Sequence, residues 1–105
     1  MNAQFNKKLS LQNGGLTVAA RGPCNWVAGD ASAVIENVWI ETQPGTVASS
    51  PLSVTVTPAD NTWSLDVSSS GQLNPGRADA HAYVTVTKTD GTHYHPPCYN
   101  DVKLQ

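Results

Sequence analysis

Alternation of apolar and polar residues with a period of two organises the chain. Leu52, Val54 and Val56 alternate with Ser53, Thr55 and Thr57. Trp63, Leu65 and Val67 alternate with Ser64, Asp66 and Ser68. Ala80, Ala82, Val84 and Val86 alternate with His81, Tyr83, Thr85 and Thr87. A strand sends successive side chains to opposite faces, so each run predicts a strand with one buried and one wetted face. Leu9 and Leu11, followed across Asn13-Gly14-Gly15 by Leu16 and Val18, predict a hairpin or a bulged first strand. Val102 and Leu104, alternating with Asp101 and Lys103, predict a short last strand. The run 33–41 behaves differently. Val34, Val38 and Ile40 fall on one face, Ile35 and Trp39 on the other, and Glu36, Asn37 and Glu41 interrupt both. It reads as a central strand with partial cover on its second face, because Val and Ile are stiff at χ1 and disfavour a short helix.

Turn residues separate these runs: Gly22-Pro23, Pro44-Gly45, Pro58-Ala59-Asp60-Asn61 and Pro75-Gly76. Asp90-Gly91 predicts a two-residue hairpin loop, which would pair Thr89 with Thr92, Lys88 with His93 and Val86 with His95. That register turns His95 toward the core and puts Tyr83 and Tyr94 together on the opposite face. A loop longer by one residue would flip both histidines outward. About seven short strands at this spacing predict an all-β fold, an antiparallel β-sandwich. Residues 9–105 form the expected single domain, and residues 1–8 the expected flexible tail.

Composition narrows the function classes. Of 105 residues, 39% are hydrophobic and 13% charged, with a net charge of -2. Low charge with three Trp argues against disorder. The dispersed Lys and Arg argue against a nucleic-acid partner, and no apolar run is long enough to predict membrane insertion as a helix. No G-x-S-x-G elbow surrounds the serines, and no nucleophile–base pair follows from spacing, so a non-catalytic role is expected. No apolar signal region follows Lys7 and Lys8. The chain is therefore cytoplasmic, or has lost a leader, or is a segment of a longer protein.

Cys24 and Cys98 make an even count in a chain of low charge, which fits one disulfide and an extracellular or cell-surface location. Closing so long a loop would stabilise by about 4 kcal/mol. The other reading is two separate buried thiols.

The run Asn61-Thr62-Trp63-Ser64-Leu65-Asp66-Val67, with Leu73-Asn74-Pro75-Gly76 and the Tyr83 strand ending at Thr89-Asp90-Gly91, resembles the second half of bacterial immunoglobulin-like domains. The resemblance covers about residues 52–91. It implies an immunoglobulin-like sandwich in which Trp63 and Tyr83 are structural. It also implies a spacer, adhesive or binding module of a larger surface, secreted or phage protein. No catalytic residue comes with it. Gly22-Pro23-Cys24-Asn25-Trp26 and the segment from His93 to Cys98 depart from the pattern.

Two constellations could carry a specific function. Trp26, Trp39, Tyr83, Tyr94 and Tyr99 could form an aromatic surface for a protein or glycan partner. Trp63, in phase with Leu65 and Val67, belongs in the core. Alternatively, His93, His95 and Cys98, completed by Cys24, offer the imidazole and thiolate ligands that suit zinc or copper. A disulfide would remove those thiolates. Asp60 and Asp90 are expected to serve turns.

Overall fold

The computed structural model describes residues 1–105. It contains ten strands: β1 Asn2–Ala3, β2 Lys8–Gln12, β3 Thr17–Asn25, β4 Asp30–Thr42, β5 Val47–Ser49, β6 Val54–Val56, β7 Thr62–Ser69, β8 Gly76–Lys88, β9 His93–Tyr94 and β10 Pro97–Leu104. The predicted alternation is visible in their burial. Trp63 and Val67 point inward on β7, and Ala78, Ala80, Val84 and Val86 on β8.

Seven strands hydrogen-bond in a closed ring, in the order β2, β3, β7, β5, β4, β8, β10. The ring closes where β10 pairs parallel with β2, Lys103 opposite Lys8 and Leu104 opposite Leu9. β1, β6 and β9 pair with members of the ring from outside it. The expected immunoglobulin-like sandwich is therefore not formed. Two separate sheets would require breaks in the hydrogen bonding. Here short β5 bridges β4 to β7, and β2 bridges β3 to β10. Period-two alternation is the same in a sandwich and a barrel, so it could not separate them. The interior is narrow, and Ala20, Ala33, Ala48, Ala78 and Ala80 line it beside Val18, Ile35, Ile40 and Leu104.

The expected flexible N-terminal tail is instead ordered against the barrel, paired along β3. Met1, Ala3 and Phe5 are buried. β1 continues the line of β2 along β3, with a change of register between them. Gln4 N–H donates to Pro23 O and Asn6 N–H to Arg21 O. The Phe5 ring meets Trp63 edge-on with centroids 5.0 Å apart, and the Trp63 indole donates to Gln4 O at 2.8 Å. The polar and charged residues of this segment concealed the alternation of Met1, Ala3 and Phe5.

A bulge resolves the two-faced pattern of β4. Glu36 lies opposite Tyr83 but Trp39 opposite His81, so β4 advances three residues while β8 advances two. Asn37, at φ 52°, absorbs the extra residue, in a region that Asn tolerates better than most side chains. Ile35 before the bulge and Val38 and Ile40 after it all point inward. The strand thus keeps one buried face throughout, and the phase shift sends Trp39 outward.

Candidate functional site

The outer face of β4, β8 and β10 carries the most distinctive surface chemistry of the barrel. Trp39, His81 and Tyr99 lie on one cross-strand row, because His81 is opposite both Trp39 and Tyr99. The Trp39 and His81 rings have centroids 5.0 Å apart, and the His81 and Tyr99 rings 4.4 Å. On the next row of β8, Tyr83 stacks on His95 at 5.0 Å with the ring planes 23° apart. Trp39, Tyr83 and Tyr99 remain 36%, 45% and 54% exposed. Large aromatic rings held on rigid strands and left in water are a common mark of a contact surface.

The hairpin that ends β8 places His95. Gly91, at φ 88°, lets Lys88 N–H donate to Thr92 O and Gly91 N–H to Lys88 O. The loop therefore holds three residues, not the expected two, and Thr87 pairs with His93 and Val86 with Tyr94. Both histidines turn outward and Tyr94 turns inward, which corrects the register read from Asp90-Gly91. His95 Nδ1 lies 3.2 Å from Val84 O and 3.3 Å from the Thr85 hydroxyl. His93 Nδ1 lies 3.0 Å from the Thr87 hydroxyl. Asp90 accepts from the Thr92 N–H and hydroxyl, and Asp60 from the Thr57 N–H, so both carboxylates serve turns.

Of the five aromatic residues singled out in the sequence, Trp39, Tyr83 and Tyr99 share this face. Trp26 is half-buried against the core and donates its indole N–H to Asp60 O at 2.7 Å. Tyr94 donates its hydroxyl to Asp30 at 2.8 Å, under the Lys88 ammonium 5.4 Å from its ring centre. Burial first, then the Asp30 carboxylate, pushes the Tyr94 phenol up to about 12. Its role is structural. His81 was missed by sequence reasoning. Its signal was the alternation of β8, which puts it on the same face as Tyr83.

A shallow open groove of about 390 Å³ runs beside Trp39, bounded by Asn37, Ser49, Ser50 and Pro51. Asn37, the bulge residue, forms part of its lining. A second cavity, about 210 Å³, lies between the β4–β5 turn and the start of β8, lined by Thr42, Gln72, Asn74 and Arg77. No aromatic ring lines it, and Arg77 is its one charged group.

The alternative metal set is not brought together. No three His, Cys, Asp or Glu side chains converge in a way that could hold a metal ion. His93 and His95 face outward, whereas Cys24 and Cys98 are buried in the core as free thiols. The expected disulfide is thus absent, and with it goes the reason for placing the chain in an oxidising, extracellular setting. Burial, then the neighbouring Cys24, pushes the Cys98 thiol up to about 11. Burial, then Asp60, also raises Cys24. Both sulfurs are protonated at neutral pH and are poor nucleophiles. In the folded protein, without reductant, an aromatic disulfide reagent is expected to label neither thiol promptly and to label both once the chain is denatured. Failure to label either thiol after denaturation would contradict the free-thiol state. No helix is long and apolar enough to cross a membrane.

The chain matches no protein-family model and no curated protein sequence.

Proposed function

We propose that the protein is a non-catalytic binding module that docks a protein partner on the outer face of β4, β8 and β10. The observation that carries this reading is the row Trp39–His81–Tyr99, with Tyr83 on His95 beside it. Trp and Tyr dominate the energetic centres of protein interfaces, because they offer large contact areas for little lost side-chain entropy. Here the rings prop one another on a barrel wall, so little further ordering is needed on binding. The ring arrangement favours a protein over a glycan. Planes tilted by 34° and 67° at centroid distances of 4.4–5.0 Å make a ridge of packed rings, not a flat row on which successive sugars would lie.

The test is selection of short linear peptides displayed on phage against the whole protein, with the Trp39→Ala/Tyr99→Ala variant as the counter-target. Both residues are exposed, so the variant should melt within a few degrees of the parent. Selected peptides, made synthetically, are expected to bind the parent and to lose about thirtyfold or more in affinity for the variant. Peptides that bind both proteins equally, or no enrichment over the variant, would overturn the reading. Glycan-array binding that disappears in the variant would replace the protein partner with a sugar.

A further inference from the structure

The rows beside the aromatic ridge are sorted by charge. One step along the strands from Trp39–His81–Tyr99, Asp79 on β8 lies opposite Glu41 on β4 and Asp101 on β10. One step further, Lys103 on β10 lies opposite Arg77 on β8 and Lys8 on β2. Like charges directly opposite one another on a sheet are destabilising. Neither row is relieved by ion pairing. The ion pairs within 4.0 Å are Met1–Asp30 and Arg21–Asp66, both elsewhere. The carboxylates reach the ridge electrostatically: Asp79 first, then partial burial and Asp101, raises the Tyr99 phenol.

Building on the docking face proposed above, we infer that its partner presents an arginine on an extended segment, held between the aromatic row and the Glu41–Asp79–Asp101 row. The order of the rows selects this occupant. A cation placed on the ridge side of the carboxylates meets ring faces and negative charge together. On the far side it would meet Arg77, Lys103 and Lys8. A guanidinium suits the gap better than an ammonium. It is planar, stacks on Trp and Tyr faces, is weakly hydrated, and can grip a carboxylate through two N–H groups at once. The groove beside Trp39, open and bounded by Ser49, Ser50 and Pro51, leaves room for the backbone that carries it. An extended segment matches the face because its alternate side chains step at nearly the same interval as the rows.

The test is a titration of the isotope-labelled protein, followed by amide and indole NMR signals, with three probes: acetyl-triarginine amide, acetyl-trilysine amide and acetyl-triglutamate amide. Triarginine is expected to move the Trp39 indole signal and the His81 and Tyr99 amides. It should bind about three- to fivefold more tightly than trilysine, and triglutamate should leave these signals unmoved. Asp79→Asn relieves like-charge repulsion and should fold normally, yet should weaken triarginine about threefold or more. Equal binding of arginine and lysine would overturn the inference. So would shifts spread over remote carboxylates such as Asp60 and Asp90, or an unchanged affinity in Asp79→Asn. The outcomes separate this inference from the docking face itself. Arginine-free peptides that bind in the display experiment and depend on Trp39 would sink the arginine and leave the face standing.

Discussion

Asp30→Ala is expected to cost about 3 kcal/mol of folding stability and to lower the unfolding midpoint by roughly 15–20 °C. Asp30 opens β4, and its side chain is fully buried. Its carboxylate takes the Met1 amine at 2.8 Å, the Tyr94 hydroxyl at 2.8 Å and the Val27 N–H at 3.1 Å. The amine also contacts the Tyr94 hydroxyl. One carboxylate therefore ties the chain start, the β3–β4 turn and β9 together. Removing it leaves a buried amine with no counter-charge and two donors without their acceptor, which costs more than the pair itself contributes. Asp30→Asn keeps one acceptor oxygen and should cost less than the alanine change.

The same group sets an acid limit. Burial acts to raise the Asp30 pKa, but the hydrogen bonds from the Met1 amine, Tyr94 and Val27 outweigh it and hold the carboxyl below the usual range. A depressed folded pKa means stability that is fully present above the unfolded value, about 3.9, and is lost as the pH falls through the folded value. Urea unfolding from neutrality down through pH values below about 4 should therefore show stability falling with pH, with a shallower fall in Asp30→Asn. Parallel slopes in the two proteins would show that the carboxylate is not held in this way.

Gly22→Ala is expected to destabilise by about 3 kcal/mol, although alanine is the smallest possible addition. A Cβ at Gly22 would run into the carbonyl of Gln4, with the Trp63 indole nitrogen 2.9 Å away. Gln4 belongs to the segment that runs along β3, and its carbonyl is the acceptor for that same indole. The methyl group must therefore displace residues 1–7 from β3 or move Trp63, and Met1, Ala3, Phe5 and Trp63 all pack in the core. Loss of amide-exchange protection at Gln4 and Asn6, beyond that at the distant β5–β7 pairing, should accompany the fall in midpoint. A variant with parental stability and protection would return residues 1–8 to the status of a loose tail.

Much of the wall was legible along the chain, because solvent leaves a direct imprint on a half-buried strand. The alternation of β7, β8 and β10 identified their inward residues, and the turn pairs marked most of the boundaries. Two errors of strand facing share one physical cause, a shift of phase by one residue. At Asp90-Gly91 a third loop residue turned Tyr94 inward and His95 outward. At Asn37 an extra residue put Ile35, in place of Val34, on the buried face of Val38 and Ile40. Each shift depends on positive φ at a single position, and the sequence marks such a position only as an Asn or a Gly.

The residue types alone established an all-β chain, a Val- and Trp-bearing core, low charge and an aromatic set from which Trp39, Tyr83 and Tyr99 emerged. Closure into a barrel could not be read there, since it rests on pairings between distant strands, β5 with β7 and β10 with β2, that leave no local pattern. The unbonded state of Cys24 and Cys98, the capture of the Met1 amine by Asp30 and the juxtaposition of aromatic and acidic rows are likewise three-dimensional facts. All of them depend on cross-strand register, which hydrogen bonding sets between residues far apart in the chain and which composition and spacing do not encode.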